Sequence, residues 1–335
     1  MRCRGNASSL PRLSLLLSLF GAVSPLQLAF ANWVTEPRGP AATGIAQLSW
    51  VLFIVALIVV VIVLALYLFA LTSEGAPRGT TPSWSTPFVV IGGIVVPTFI
   101  LISVLTYSLG KTSALQEVGE GEPITIEVVG NQWWWEVRYP EEGVVTANEL
   151  RIPVGVPVRL ELTSDDVIHS FWVPTLNGKM DLVPGRTNTL IIEAEEVGLY
   201  RGSCAEYCGT QHAKMNLLVL AEPRETFEGW LADQRRSAAL PDTPLEREGL
   251  EVFLSSACVY CHTIEGTNAT GDLGPDLTHL ASRLTLGAGT IANNRGNLAG
   301  WIVNSQALKP GNRMPPMYLE ADDLQALLAY LGSLE

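Results

Sequence analysis

The sequence predicts a multidomain protein: a hairpin of two membrane-crossing helices, then an all-β domain, then an all-α domain. Three observations carry this. Residues 48–71 and 88–109 are apolar runs without a single charge, each longer than the roughly 20 residues a helix needs to cross the hydrocarbon of a bilayer. Residues 123–222 alternate apolar and polar with period two and are cut by turn signals, the pattern of short strands. From Asp242 onward helical spacing returns.

Residues 1–31 read as an export signal. Arg2, Arg4 and Arg12 form a basic start, 13–23 a short apolar core, and Ala29-Phe30-Ala31 an A-x-A cleavage site. The mature chain then begins at Asn32, with a short external segment over 32–45. The first membrane helix is expected over 46–71 and the second over 88–110. The loop 72–87 carries one acid, Glu74, and one base, Arg78, so positive charge gives little help with orientation. Orientation follows from the signal instead. Asn32 lies outside, two crossings return the chain to that side, and 72–87 is cytoplasmic. Pro97 falls inside the second span and is expected to kink it.

The next domain is expected over 111–222. Val158-Arg159-Leu160-Glu161-Leu162 alternates strictly, and Asn177-Gly178 and Pro184-Gly185 mark turns. About 100 residues of this kind suit an antiparallel sandwich or barrel. Residues 223–240 read as a polar helical connector, and 241–335 as the helical domain. Thr243-Pro244-Leu245-Glu246 supplies a cap, a proline at the first position and an acid in the first turn. Further helices are expected over 298–308 and 321–331.

Net charge is −12. Residues 117–225 carry about −10 and 240–335 about −6. An acidic exported part excludes nucleic acid as a partner and favours a basic one.

Five cysteines are present. Cys3 lies in the signal; the other four fall in two metal patterns. Disulfides are the competing reading in an exported protein, but they leave the histidine and methionine beside one pair unexplained.

The first pattern is Cys258-Val259-Tyr260-Cys261-His262, a C-x-x-C-H attachment site for c-type haem. Cys258 and Cys261 can bond the two vinyl groups of one porphyrin, and His262 faces the iron. A Met thioether is the usual sixth ligand. Met314, followed by two prolines, is the choice; Met317 and His279 are the alternatives. The carbonyl of Pro275 is the expected acceptor for the other ring nitrogen of His262.

The second pattern is Cys204-x-Glu206-x-Cys208-x-x-x-His212-x-x-Met215. Thiolate, imidazole and thioether together select copper or zinc. Zinc leaves Met215 unexplained, and a mononuclear blue-copper site uses only one thiolate. Two bridging thiolates suit a pair of coppers, each with one imidazole. The second imidazole is His169, the one histidine left after the haem pattern and His279 are set aside.

These residues resemble subunit II of haem–copper cytochrome c oxidases of the caa type, with a cytochrome c domain fused at the C-terminus. Gln132-Trp133-Trp134-Trp135, His169-Ser170-Phe171-Trp172-Val173-Pro174, Gly178-Lys179-Met180-Asp181 and the copper loop occur in the family's order. Gly274-Pro275-Asp276-Leu277-Thr278-His279 and Lys309-Pro310-Gly311-Asn312-Arg313-Met314-Pro315 look like its haem domain.

The resemblance implies a cupredoxin-like Greek-key barrel and a class I cytochrome c domain. It implies a dinuclear CuA centre held by His169, Cys204, Cys208, His212, Met215 and the carbonyl of Glu206. It implies that the Glu206 carboxylate reaches a magnesium ion at the boundary with subunit I, and that Trp133 is the electron relay while Trp134 and Trp135 pack. The expected partners are oxidase subunits I and III, membrane lipid, and a donor that is a cytochrome c or a quinol-oxidising complex. The expected place is a bacterial inner membrane with both redox domains outside.

One departure stands out. Many members carry an acid near the cytoplasmic end of the second span, at the mouth of a proton channel. Here 88–109 holds none, Val90 sits near that place, and Glu74 is a weak substitute. Rival readings are the input subunit of a nitric oxide reductase, a tethered copper or haem delivery protein, and a quinol oxidase subunit, a class that lacks the copper ligands present here.

Overall fold

The computed structural model describes residues 36–73, 85–114 and 123–335. The export signal with Cys3, and Glu74 and Arg78 of the inner loop, lie outside the described residues.

Helix α1 spans Pro40–Thr72. It starts ahead of the expected residue 46 because Pro40 is set for the first helical position and the chain before it is tied to the β domain. Arg38 N–H donates to Thr175 O (2.8 Å), Glu195 N–H donates to Arg38 O (2.9 Å) and Ala42 N–H donates to Leu176 O (3.2 Å). Gly39 passes so close that a Cβ there would lie 2.3 Å from Glu193 O.

Helix α2 is built from Ser85–Val90, a π turn over Ile91–Val95, and Val96–Ala114. Pro97 does its work just upstream of itself. It has no N–H for the carbonyl four residues back, and the helix widens by one turn there, with Val96 N–H bonded to Ile91 O. Both helices present their apolar side chains outward along most of their length. Lys111 Nζ donates to Gln47 Oε1 (3.1 Å), joining them at one end.

The β domain stacks two five-stranded sheets. The first runs β3 (Val144–Ala147), β2 (Trp134–Tyr139), β1 (Ile124–Asn131), β5 (Val158–Ser164), β8 (Asn188–Ile192). The second runs β4 (Glu149–Pro153), β10 (Asn216–Glu222), β9 (Gly198–Cys204), β6 (His169–Trp172), β7 (Met180–Leu182). The sheets are mixed, whereas alternation alone suggested an antiparallel arrangement: β1 pairs parallel with β5, and β4 with β10. The chain switches sheets between β3 and β4, β4 and β5, and again before β10, so β5 comes to lie beside β1 and β10 beside β4 in the same direction. Alternation encodes which face is buried, not which strand is the neighbour. Ile126, Trp135, Leu150, Leu160, Phe171 and Val219 fill the space between the sheets.

The segment read as a polar connector is partly core. Helix α3 (Arg224–Gln234) buries Phe227, Trp230 and Leu231, spaced i, i+3, i+4 on one face. Trp230 meets the ring of Tyr139 at 5.3 Å, and the Arg151 guanidinium lies 5.1 Å from the Trp230 ring.

The last domain opens with α4 (Pro244–Ser255), started by a capping box. Thr243 Oγ1 accepts from Glu246 N–H (3.2 Å) and the Glu246 carboxylate accepts from Thr243 N–H (3.1 Å). Helices α5 (Arg295–Leu308) and α6 (Ala321–Leu331) follow. α4 crosses α6 at Gly249, where a Cβ would lie 2.0 Å from Ala326 O. Only glycine lets the backbones approach so closely.

Candidate metal and haem centres

β6 and β9 are neighbours, with Phe171 opposite Cys204. This places His169 beside the end of β9, where the loop to β10 begins. That loop is clamped at both ends: Cys204 N–H donates to Met215 O (2.9 Å) and Ala205 N–H to Ser170 O (2.9 Å). Four donor atoms cluster, with His169 Nδ1 3.9 Å from Cys204 Sγ, Cys204 Sγ 3.8 Å from Cys208 Sγ, and Cys208 Sγ 3.7 Å from His212 Nδ1; the ligand atoms of His169, Cys204 and Cys208 all lie within 4.8 Å of one another. Two weaker donors flank them. Glu206 O lies 3.2 Å from Cys204 Sγ and Met215 Sδ 3.9 Å from Cys208 Sγ. Among the described residues all four cysteines are unpaired thiols.

The orienting groups are in place. His169 is fully buried, and its Nε2 lies 2.9 Å from Asp166 Oδ1. A carboxylate there keeps the proton on Nε2 and leaves the Nδ1 lone pair for a metal. Burial alone would raise the Asp166 carboxyl, but bonds from His169, Val167 N–H and Gln132 N–H outweigh it and hold it low. The ring fits only because residue 130 is glycine: a Cβ there would lie 2.8 Å from His169 Cδ2. Cys204 is pulled far below an ordinary thiol, chiefly by the hydrogen bond with Cys208, with burial opposing. Five soft or borderline donors and one carbonyl oxygen converge, two of the five being cysteine sulfurs that can serve as thiolates. That set fits a copper pair better than a four-ligand zinc site.

The C-x-x-C-H run forms a turn after α4, with Cys261 N–H and His262 N–H both donating to Cys258 O (3.1 and 3.0 Å). His262 Nδ1 lies 2.7 Å from Pro275 O, which leaves Nε2 facing a cavity of about 380 Å³. Gly274 is again a close approach, since a Cβ would lie 2.7 Å from His262 Cε1. Cys258, Cys261, Met314 and Met317 all line the cavity. The Met314 backbone is pinned: its N–H donates to Asn312 Oδ1 (2.8 Å), and its carbonyl accepts from Ser305 Oγ (2.7 Å) and Gln306 Nε2 (2.9 Å). His279 takes no part. Its ring is buried, with Nδ1 on Glu335 O and Nε2 on Gln234 O and Arg236 O. Arg283 also lines the cavity; it is buried, and its Nε has no partner among the described residues. An orphaned guanidinium N–H in an apolar cavity of this kind fits a porphyrin carboxylate.

The two centres share a wall. Gln132, Trp133, Trp134 and Asn148 of the β domain line the haem cavity. Trp133 Nε1 and Gln132 Nε2 both donate to Cys208 O (3.0 and 2.8 Å). Trp135 is wholly inside the sandwich, whereas Trp134, expected only to pack, also faces the cavity. The Glu206 carboxylate is half exposed and meets Lys179 Nζ at 3.3 Å. Sequence reasoning missed Asp166, Gln132 and Arg283. A carboxylate three residues before a ligating histidine was the one available signal.

Residues 142–222 match the family model for the periplasmic domain of cytochrome c oxidase subunit II, and residues 247–335 that for cytochrome c. The chain is 35 % identical over 315 residues to cytochrome c oxidase subunit 2 of Alkalihalophilus pseudofirmus, covering 90 % of both. This chain belongs to the cytochrome c oxidase subunit 2 family. The Bacillus subtilis cytochrome c oxidase subunit 2 is 30 % identical over 266 residues, 74 % of this chain and 75 % of that one. Among solved structures, the periplasmic domain of subunit II of the Bradyrhizobium japonicum cytochrome oxidase is 29 % identical, covering 36 % of this chain and 97 % of that one with a TM-score of 0.34. The two matched domains in one chain make this a fused, caa-type cytochrome c oxidase subunit II, a component of an oxidase whose catalytic subunit is separate. The first domain implies copper and the second haem, and the donors described above fit each.

Proposed function

We propose that this chain is the electron-entry subunit of a membrane terminal oxidase. It takes electrons from a cytochrome c or a quinol-oxidising complex at a covalent haem c. It passes them to a dinuclear CuA centre, and on to the haem–copper oxygen-reducing site of subunit I, coupled to proton translocation. One observation carries the order of the two centres. The Trp133 ring forms part of the haem cavity wall and its Nε1 is bonded to the carbonyl of Cys208.

When bound, haem and copper supply two one-electron carriers; this chain's residues hold them and fix their spacing. Cys258 and Cys261 tether the porphyrin, His262 and Met314 bind its iron, and Pro275 O orients His262. His169, Cys204, Cys208, His212, Met215 and the carbonyl of Glu206 hold copper, with Asp166 orienting His169. Clamped between strands, these ligands need to move little when an electron arrives. Trp133 is the bridge. The Glu206 carboxylate, in exchange for Lys179, is the one magnesium ligand this chain would give to a site completed by subunit I.

The two long helices would sit in a bacterial inner membrane, beside subunits I and III and in contact with lipid, with both redox domains on the periplasmic side. The domain scheme is the one read from the sequence, except that α3 goes with the β domain.

Pulsed reduction of the purified oxidase tests this reading. Haem absorbance should rise first and fall as a dinuclear copper signal is reduced. Trp133→Phe, which keeps an aromatic ring but loses the bond to Cys208 O, should slow the second phase without altering either resting spectrum. Simultaneous reduction of the two centres, or a second phase indifferent to Trp133, would remove the relay.

A further inference from the structure

Lys309 is 2 % exposed. Its ammonium donates to three carbonyls: Trp133 O (2.9 Å), Lys214 O (3.0 Å) and Gly287 O (3.1 Å). Among the described residues no carboxylate pairs with it; the charged neighbours acting on it are Lys214 and Cys208. Burial and the nearby Lys214 disfavour its charge and only the sulfur of Cys208 favours it; a buried cation with no carboxylate partner is costly and is retained where its geometry is used. Here each proton holds a different segment. One carries the relay tryptophan, one ends next to the copper ligand Met215, and one belongs to the haem domain.

The residues that follow continue the seam. Gln211 Nε2 donates to Pro310 O (2.5 Å) and Lys214 Nζ to Leu308 O (2.5 Å). The would-be Cβ of Gly311 lies 3.1 Å from Thr210 Oγ1. Arg313 Nη2 donates to Gln132 Oε1 (2.9 Å) and to Asp166 Oδ2 (3.2 Å). Asp166 holds His169 through its other oxygen. The next residue is Met314. The stretch that presents a sulfur to the haem cavity is thus fastened, residue by residue, to the loop and the carboxylate that shape the copper site.

We propose that Lys309 and Arg313 are positioning residues that lock the haem domain onto the copper domain in one electron-transferring arrangement, with the Met314 loop as the shared part. The proposal rests on the functional reading above and deepens it: transfer between the two centres needs no domain search. Neither side chain carries the electron. Both fix the gap it crosses, and small displacements of reacting groups are enough to cost orders of magnitude in rate.

The test uses the assembled oxidase with both centres loaded. Lys309→Met keeps the length of the stem and removes the ammonium. It should slow haem-to-copper transfer at least about tenfold, while the haem absorption spectrum and the dinuclear copper resonance stay unchanged. Lys309→Arg should restore part of the rate. A wild-type rate in Lys309→Met with both spectra intact overturns the proposal. If Lys309→Met does not assemble, Arg313→Gln decides: its guanidinium is largely exposed, and the same slowing with intact spectra is expected, an unchanged rate being fatal. Absence of haem-to-copper transfer in the unmodified enzyme would overturn the functional reading itself, and this proposal with it.

Discussion

The copper site and the haem site are built in opposite ways. At the copper site every donor comes from two neighbouring strands and the loop that leaves one of them. Neighbouring donors in the His–Cys–Cys–His series stand 3.7–3.9 Å apart, held by the strand ladder and the clamped loop. At the haem site the chain supplies a space. Its walls come from the C-x-x-C-H turn, the 274–287 loops, α5, the Met314 loop and the other domain. A strand ladder can preform a small polyhedron of ligands. A porphyrin is too large for that, so the protein leaves a hole and relies on the cofactor to complete the core.

The widest test of this contrast is to withhold each cofactor in turn. An open cavity of about 380 Å³ would cost at most about 9 kcal/mol at ~24 cal/mol per Å³. That is comparable with the whole ~5–15 kcal/mol stability of a domain. With Cys258 and Cys261 both changed to Ala, so that haem is not attached, residues 241–335 should lose amide-exchange protection. Withholding copper should leave 123–222 protected. Equal protection in both states would mean that the haem domain is as preformed as the barrel.

Next in size is complete loss of one spectrum. Cys208→Ser should abolish the dinuclear copper resonance and leave the haem spectrum untouched; retention of the resonance would refute a two-thiolate site. Met314→Ala should keep the covalent haem but remove its low-spin His/Met signature. If that signature survives, the sulfur is that of Met317, which lines the same cavity.

A purely structural change comes third. Trp230→Ala should destabilise the barrel by roughly 3–5 kcal/mol, read from thermal unfolding, with little effect on the haem domain. The smallest effect expected is at Asp166→Asn. The imidazole loses its carboxylate acceptor, and copper affinity should fall by about 10–100-fold, measured by competition with a chelator. No change would leave Asp166 a partner of Arg313 and of the Val167 and Gln132 N–H groups only.

The side chains that the structure brings together around Cys204 and Cys208 were legible because four of them lie in one twelve-residue run and the histidine inventory singled out His169; the carbonyl of Glu206 came only from the family resemblance. Pro275 was legible for the same local reason, thirteen residues from His262. The burial of α3 was also written down, in the spacing of Phe227, Trp230 and Leu231, but the charges around them masked it. The parallel strand pairs were not legible, since alternation says nothing about partners. Lys309, Arg313 and Glu149 were the hardest. Glu149 accepts from Leu284 N–H and Thr285 N–H (2.8 and 2.9 Å), and Lys309 reaches Trp133. Such contacts join distant stretches of chain, and no local pattern records them.

The shared wall at Trp133 has one last consequence. On the proposed reading the two carriers are wired in series, because the tryptophan that leads to copper lines the porphyrin's own pocket. The barrel residues nearest that tryptophan, Gln132, Trp134 and Asn148, line the same pocket. Blocking porphyrin attachment would therefore do more than slow delivery: it would disconnect copper from its supply.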